Sequence, residues 1–319
     1  MISRPAADTG IGGGDSFMLR GFDSFPASVY RDGMRLVFSG QTDLAAIERV
    51  EVLKGPAAIL YGRIEPGGLI NQVGKQPLAN PFYALQQQFG SFDFYRTTLD
   101  ATGPINSEKS LKYRFNLAFE TANSFQEFIN NERVVAAPVL RWDISPATQV
   151  TLELNYRHSM DPLSPGIPFI GNRPAPVPRE RNFGESTHTL RGTDDIYTGI
   201  NWSHAFNENW SFNHRFYIDR TNRFQQANVF LNSGVLNAGD LIERSGEEPE
   251  GDSGSTDYFT TYNLTGHFNT GLFQHTVLLG GDYYQNQNDP GKGVGFAIPP
   301  TDVFQPVHDD VSTLFRTQG

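Results

Sequence analysis

Apolar and polar residues alternate strictly along much of this chain. Between residues 111 and 120, every second position holds Leu, Tyr or Phe, and the positions between them hold mostly charged or amide side chains. Successive side chains of an extended strand point to opposite faces, so this spacing predicts a strand with one apolar and one polar face. Stronger or weaker forms of the pattern predict about nine strands. They are expected near 83–89, 95–102, 111–120, 134–143, 150–157, 196–206, 210–219, 258–268 and 273–284.

The lengths of these strands and their connections indicate a membrane wall. Many strands reach about ten residues, which is the length that a tilted strand needs to cross a bilayer, whereas strands of soluble sandwiches are usually shorter. Short connections are expected at 104–108, 145–148, 207–209 and 270–271, and they alternate with long ones at 123–132, 161–194, 225–255 and from 286 onward. Outer-membrane barrels have this combination of tight turns on one side and long loops on the other.

The three tryptophans support this interpretation. Trp142, Trp202 and Trp210 all lie beside predicted short turns. Because indoles favour the level of the lipid headgroups, we expect an aromatic girdle at the periplasmic rim. The alternative is that they are ordinary core residues of a soluble β-domain.

Residues 1–80 have a different pattern, which predicts a small mixed domain. Short strands are expected at 17–22, 28–30, 47–53 and 69–73, separated by glycine-containing turns. The segment also holds many ionisable side chains. Exposed ion pairs contribute only about 0 to 1 kcal/mol each, so a domain held by them inside a polar lumen remains displaceable.

Composition excludes some classes of protein. The chain is 38% hydrophobic, its mean hydropathy is −0.41, and no window approaches the roughly 18 apolar residues of a spanning helix. A polar average is typical of barrels, where only alternate residues face lipid. The net charge of −10 disfavours nucleic acid as a partner. The first residues lack the features of an export signal, so we expect either a cytoplasmic protein or an incomplete chain.

Motifs for catalysis or metal binding are weak, and we do not expect an enzyme. The Gly-Asp-Ser-Gly run at 251–254 resembles a serine-protease motif but has no evident His and Asp partners. The glycines at 10–14 do not complete a dinucleotide motif, and the histidines lack zinc-like spacing. A calcium cage and a solvated charge cluster are both possible for an acidic run, with the cluster favoured. This run comprises Glu247, Glu248, Glu250 and Asp252.

Several motifs in the first eighty residues resemble one family. LRGF at 19–22, VYRDGMR at 29–35, IERVEVLKGPAAILYG at 47–62 and PGGLINQVGKQP at 66–77 closely resemble the plug of TonB-dependent outer-membrane receptors. The spacing of Tyr61 and Gly62 from Gly67 and Gly68 is most similar to the ferric siderophore branch, which includes the ferrichrome receptors. The stretch GSFDFYRTTLDATGPI at 90–105 is similar to the first barrel strands of that family.

The resemblance implies a fold and a function. The fold is mainly β: a partial antiparallel transmembrane β-barrel (81–319) preceded by the later part of a plug domain (1–80). The family's complete barrel has about 22 strands, so the resemblance implies a fragment without TonB box or signal peptide. The implied activity is TonB-energised uptake of a ferric siderophore across the cell outer membrane. No cofactor is implied, since iron arrives as a ferric siderophore chelate. The implied partners are that chelate, TonB with its inner-membrane motor proteins, and outer-membrane lipid.

Candidate ligand-binding residues follow from the same resemblance. In the family, apical plug loops grip the ligand, which makes Phe25, Phe38 and Gln41 candidates here; packing of the plug apex is an equal alternative. In the long connections, arginines are candidates for attracting an anionic chelate or binding lipid phosphates, although a plain solvated loop is favoured for each. These are Arg173, Arg179 and Arg181.

The remaining plug motif divides into latches and structural positions. Arg20, Arg49, Glu51 and Lys54 are candidate latches between plug and barrel wall, whose exchange with water would make plug displacement reversible. The glycines are expected to permit positive φ or close backbone approach. The other motif positions are Gly21, Asp32, Gly33, Gly55, Pro56, Tyr61, Gly62, Gly67 and Gly68.

Other functions compete with ferric siderophore import. TonB-dependent uptake of a corrinoid or a glycan would use the same plug and wall. A passive porin would conduct ions steadily through a polar lumen without a plug. A truncated fragment unable to insert would have no function.

Overall fold

The computed structural model describes residues 2–3, 18–23, 29–35, 43–54, 67–160, 162, 164–185, 191–225, 228–232, 240–249 and 253–308. Nine long strands form one antiparallel sheet, here called the wall. They are β8 (Phe82–Gly90), β9 (Phe94–Pro104), β10 (Leu111–Asn123), β11 (Asn130–Ser145), β12 (Thr148–Met160), β15 (Arg191–Ala205), β16 (Trp210–Gln225), β19 (Ser253–Thr270) and β20 (Phe273–Asp289).

The wall strands are neighbours in chain order, and each pairs with the next in antiparallel register, with a register shift between Asp143 and Ser145 at the short turn from β11 to β12. All nine predicted strands are present, most of them longer at both ends than predicted. Short turns join β9 to β10, β11 to β12, β15 to β16 and β19 to β20 at one end of the sheet, the short-turn end. The long connections lie at the opposite end, the loop end. Among the described residues, β8 and β20 do not pair with each other, so the barrel is not closed.

The two faces of the wall are inverted relative to a soluble sheet. On β10, Arg114 and Asn116 are 6% and 1% exposed, whereas Phe119 on the opposite face is 41% exposed. The polar face is buried because it is turned toward the N-terminal sheet; we call it the inner face. The apolar outer face carries exposed side chains along every strand, including Leu85 and Leu152. Sheets with this pattern face lipid outside and a polar lumen inside, as predicted.

The N-terminal region forms the small mixed sheet that the sequence predicts. Its four strands are β4 (Val29–Arg31), β5 (Met34–Arg35), β6 (Ile47–Leu53) and β7 (Leu69–Gly74), in the order β5-β4-β7-β6, with β4 parallel to β7. A 3₁₀ turn at Leu44–Ala46 precedes β6. We call these elements the plug. A further sheet contains β1 (Ile2–Ser3), β2 (Met18–Leu19) and β3 (Phe22–Asp23). No helix in the described part of the chain is long and apolar enough to cross a membrane.

One predicted plug strand is wrong. Residues 17–22 do not form a single strand, because Arg20 and Gly21 have φ values of 55° and 87° and turn the chain back between β2 and β3. Left-handed conformations of this kind cannot continue a ladder. Alternation of apolar residues alone does not reveal such a turn.

The long connections at the loop end contain strands that the sequence pattern does not predict. They are β13 (Phe169–Ile170), β14 (Arg173–Pro174), β17 (Asn228–Leu231), β18 (Leu241–Pro249) and β21 (Gly293–Asp302). β17, β18 and β21 form a three-stranded sheet. Ala175, Phe183, Ile242 and Val303 make a buried apolar cluster beside it, which we call the loop core.

Candidate functional site: the interface between plug and wall

A clamp near the loop end joins the start of the plug's 3₁₀ turn to the wall. Asp43 is the N-cap of the turn and accepts a hydrogen bond from the N–H of Ala45 at 2.8 Å. Arg96 of β9 donates to both carboxylate oxygens of Asp43, at 3.0 and 2.7 Å, and to Glu120 of β10 at 2.7 Å. Burial disfavours the charged carboxylate of Asp43, but the hydrogen bonds from Arg96 and Ala45 outweigh it and lower the pKa of Asp43.

A second clamp lies closer to the short-turn end and follows β7. Arg114 of β10 donates two parallel hydrogen bonds to Asp100 of β9, at 3.0 and 2.8 Å, and a third to the carbonyl of Gln76 at 3.0 Å. Lys75 of the plug donates to the same Asp100 at 2.9 Å. The side chain of Gln76 donates to Glu153 of β12 at 3.1 Å. The wall therefore contacts both the backbone and the side chains of the plug here.

The hairpin formed by β4 and β5 is the third attachment. Asp32 and Gly33 turn the chain with φ values of 49° and 78°. Within the plug, the side chain of Asp32 accepts from the N–H of Gly74 at 2.9 Å, and the N–H of Gly33 donates to Asn71 at 2.9 Å. These bonds fix the turn, so that its outer side can be bound by the wall.

The wall binds this hairpin mainly through its backbone carbonyls. Arg215 of β16 donates to the carbonyl of Asp32, and the hydroxyl of Tyr217 donates to the carbonyl of Arg35. The side chain of Met34 packs in a buried cluster with Tyr217 and Tyr197 of β15. Carbonyl recognition depends on the turn geometry rather than on side-chain identity.

An open cleft of about 630 Å³ separates plug and wall between these attachments. Arg49, Glu51 and Asn71 line it on the plug side, and Gln149 and Thr151 line it on the wall side. Asn71 donates to Glu51 at 2.9 Å and Arg49 donates to it at 2.8 Å, and these two hydrogen bonds lower the pKa of Glu51. The interface is thus polar and discontinuous rather than one packed apolar surface.

Comparisons with known proteins bear directly on a plug held inside such a wall. A family model described as TonB-dependent Receptor Plug Domain matches residues 2–69. The metal-pseudopaline receptor CntO of Pseudomonas aeruginosa is 34% identical over 247 residues, covering 77% of this chain and 34% of that receptor. The ferrioxamine B receptor of Salmonella typhimurium is 29% identical over 330 aligned residues, covering 95% of this chain and 45% of that receptor.

The fold comparison agrees. The solved structure of the pyoverdine outer membrane receptor FpvA from Pseudomonas aeruginosa PAO1 bound to pyoverdine matches with a TM-score of 0.82 at 20% identity. The match covers 95% of this chain and 45% of that chain. The chain belongs to the TonB-dependent receptor family. This receptor is an outer-membrane protein, and its relatives are transport receptors rather than enzymes, both as predicted. It spans less than half the length of the relatives named here.

Many predicted site residues of the receptor lie outside the described residues. This applies to all three candidate ligand contacts and to part of the plug motif, and their roles stay predictions. They are Phe25, Phe38, Gln41, Gly55, Pro56, Tyr61 and Gly62. Glu250 and Asp252 of the acidic run also lie outside, as do Gly251 and Asp252 of the Gly-Asp-Ser-Gly run. Among the described residues, no group of three or more His, Asp or Glu side chains is arranged to hold a metal ion.

The described glycines of the receptor's plug motif permit close backbone packing. A Cβ on Gly67 would lie 2.3 Å from the carbonyl oxygen of Leu19. A Cβ on Gly68, where φ is 122°, would lie 2.2 Å from the carbonyl oxygen of Leu53. Any side chain at these positions would push β2 or β6 away from β7.

The predicted latch residues lie partly at the cleft. Arg49 and Glu51 line it but pair with each other, and Arg20 and Lys54 are exposed. Their latch role stays a prediction. The described ion pairs that cross to the wall come instead from Asp43, Glu48 and Lys75, none of which is a predicted latch. The polar face of the predicted strand 111–120 carries the charged residues Arg114 and Glu120. These inward-facing charges could have predicted that the plug supplies ion-pair partners for the wall.

The loop arginines of the receptor have partners within the loops. Arg179 donates to Glu180 at 3.0 Å and lies 5.5 Å from the ring centre of Phe125, and Arg181 lies 4.0 Å from Glu127. Arg173 is exposed on β14. Attraction of an anionic chelate or of lipid phosphates by these residues stays a prediction.

Proposed function

We propose that this protein transports a siderophore-chelated metal across the outer membrane, using energy delivered by TonB. The observation that carries the proposal is the polar, discontinuous interface between plug and wall. Charge-assisted hydrogen bonds such as Arg96 to Asp43 hold the plug in place, yet each can be replaced by water when the plug is pulled. The names of the relatives support a chelated metal as cargo, since they are receptors for ferrioxamine B and for metal-pseudopaline.

The geometry suggests an order of events. A chelate binds at the loop end, and TonB then pulls the plug from the other side of the membrane. The cleft beside Arg49 and Glu51 is wide enough for water, so the attachments around it are expected to exchange with solvent first. Iron is cargo in this scheme and no resident cofactor is required.

Ferric siderophore is the leading cargo, and a complex of a different metal is the second candidate. The second is favoured by one observation, the 34% identity to the metal-pseudopaline receptor. Cells carrying the receptor gene as their only such receptor are given radiolabelled iron, nickel or zinc with matching chelators. Uptake of ferric chelate that disappears in a strain without TonB is expected. Uptake of nickel or zinc alone would favour the second candidate, and uptake independent of TonB would contradict the proposal.

Plug movement is tested by cross-linking. The chain has no cysteine, so Gln76→Cys with Glu153→Cys places a unique thiol pair across the interface. Joining the two with a short thiol-reactive cross-linker should abolish uptake while leaving chelate binding to whole cells unchanged. Each single-cysteine variant treated with the same reagent is the control. Undiminished uptake by the cross-linked receptor would show that the plug does not move at this contact.

A further inference from the structure

Four aromatic rings form a continuous row on the inner face of the wall. Tyr197, Tyr217, Phe259 and Tyr284 come from the adjacent strands β15, β16, β19 and β20. Successive ring centres are 5.2, 5.6 and 6.4 Å apart. Tyr217 is opposite Phe259 in register, and Phe259 is opposite Tyr284. The row presents its rings toward the plug hairpin of β4 and β5.

A row of acids lies directly beside the rings, one step nearer the loop end. Residues two positions apart on a strand share a face, so Asp195, Asp219 and Asp257 lie above Tyr197, Tyr217 and Phe259. The three carboxylate residues are 7%, 5% and 3% exposed. Such burial of like charges requires compensation by cations or by hydrogen bonds.

The three buried carboxylates differ in the hydrogen bonds that compensate their burial. Arg157 of β12 donates to Asp195 at 3.2 Å, and Thr221 donates to the same carboxylate at 2.9 Å. Asp257 accepts from Tyr284 at 2.6 Å and from Asn286 at 2.8 Å. The Oδ1 atom of Asp219 has no hydrogen-bond partner among the described residues, nor does the nearby Oγ of Ser255. The middle of the acidic row therefore has unused hydrogen-bonding capacity.

Guanidinium groups of the plug already lie at both ends of the aromatic row. The guanidinium carbon of Arg31 is 4.5 Å from the ring centre of Tyr197, and that of Arg35 is 5.9 Å from the ring centre of Tyr284. Both distances are within the range of cation–π contact. The Nε atoms of both arginines also lack hydrogen-bond partners. The plug thus places a guanidinium group over the ring at each end of the aromatic row, but the Nε–H of each group has no hydrogen-bond acceptor within the described part of the chain.

We propose that the two rows form a cation-binding cradle that the plug arginines occupy at rest and that a guanidinium or alkylammonium group on the cargo occupies during passage. Aromatic faces beside carboxylates are the combination that recognises organic cations. The described acids are not arranged as a metal site, which favours an organic cation over a metal ion.

This inference rests on the proposed function and adds a specificity to it. When the hairpin is withdrawn, the rings of Tyr197 and Tyr284 lose the guanidinium groups of Arg31 and Arg35, and the acidic row beside these rings loses neighbouring positive charge. Leaving buried charges unpaired is costly, so a cargo cation that replaces the arginines eases the withdrawal. A chelate that carries a cationic side group passes more readily than one without it.

Binding to an emptied cradle is the direct test. Purified receptor with Arg31→Gln and Arg35→Gln is titrated calorimetrically with L-argininamide, and the neutral isostere L-citrullinamide is the matched probe. Argininamide should bind the double variant at least about tenfold more tightly than the wild type, and citrullinamide should bind neither. Adding Asp219→Asn should weaken argininamide binding by about tenfold. That change removes no existing hydrogen bond from Oδ1, so the variant should fold.

The control is an acid on the same face outside the cradle. Asp282 precedes Tyr284 by two positions on β20 and is exposed. Asp282→Asn should leave argininamide binding unchanged. Equal affinity of argininamide for wild type, double variant and the Asp219→Asn variant would overturn the inference. Because this titration involves no transport, failed chelate uptake with intact argininamide binding would contradict only the proposed function.

Discussion

The loop core and the interface between plug and wall are both built around Arg–carboxylate pairs, but in opposite environments. In the loop core, Arg244 and Glu185 are 2.5 Å apart with side chains 1% and 0% exposed, beside the apolar cluster of Phe183 and Ile242. At the plug, the side chains of Arg96 and Asp43 are 14% and 3% exposed, and that of Glu120, which shares Arg96, is 23% exposed. The same chemical pair is thus fully buried in one region and partly exposed in the other.

The difference shows which region is built to stay assembled. A dry ion pair is costly to separate, because each partner would remain buried without compensation. Arg244 also donates to the carbonyl of Pro299, which ties β18 to β21. At the plug, partly exposed partners such as Arg96 and Glu120 can be rehydrated as their bond breaks, which is expected to lower the cost of separation. We therefore expect the loop core to stay assembled while the plug, as the proposed function requires, is the part that moves.

The largest expected effect comes from breaking the dry pair. Glu185→Ala should reduce the local stability of the loop core by about 3–5 kcal/mol, because Arg244 is left buried without its partner. Hydrogen exchange of the β18 and β21 amides measures the loss. The control is Glu180→Ala, whose exposed pair with Arg179 should contribute little. Unchanged exchange in Glu185→Ala would mean that the loop core is not held by this pair.

Breaking the clamp between Arg96 and Asp43 should have a smaller effect on stability. Arg96→Met removes the charge-assisted hydrogen bonds to Asp43 and Glu120, and the plug should lose about 1.5–3 kcal/mol of resistance to opening. Exchange of the amides in β6 and β7 measures this, while those of β18 stay protected. A loss of local stability as large as that in Glu185→Ala would show that the two regions do not differ in how strongly their ion pairs hold them.

Acid should loosen the clamp between Asp43 and Arg96. The pKa of Asp43 is below its ordinary value of 3.8 in the folded protein. Its contribution to stability is therefore complete above about pH 4 and is lost as the pH falls through the lowered pKa. Plug amides should begin to exchange faster only below about pH 4. Asp43→Asn should reduce this dependence, with the pair of Lys75 and Asp100 as the remaining acid-sensitive contact, and an unchanged profile in that variant would assign the dependence to another group.

The smallest effect is expected at the cleft itself. Arg49 has a side chain 60% exposed, and its described partner is Glu51 within the plug. Arg49→Ala should change chelate uptake by less than about twofold, since exposed pairs contribute little. Uptake reduced more strongly, with unchanged chelate binding, would show that Arg49 acts on the wall when the plug moves, as the sequence predicts.

The sequence predicts the wall well because its strands have two chemically unlike faces. In residues 111–120 the alternation of apolar and polar side chains predicts a strand, and β10 forms there. By contrast, β18 reads LIERSGEEP, where glycine and glutamate interrupt the alternation, and it forms because it pairs with β21. The hairpin turn at Arg20 and Gly21 is equally invisible to periodicity.

The candidate site was less accessible to sequence reasoning. Asp32 and Arg215 lie 183 residues apart in the chain, and their bond uses a backbone carbonyl, which every residue possesses. A sequence motif can predict the Asp-Gly turn, but it does not predict which arginine of the wall binds the carbonyl of that turn. Likewise the aromatic and acidic rows combine single residues from four strands. Only the register of the sheet brings them together.

That register has a consequence for how the gene can change. β15 and β16 pair without interruption from Arg191 opposite Gln225 to Ala205 opposite Ser211. One extra codon inside either strand would rotate every residue beyond it to the other side, exposing Asp219 to the bilayer and turning Ile218 inward. Two extra codons would restore the pattern. Length variation among descendants of this gene should therefore be confined to the connecting loops, or should occur in steps of two within the strands.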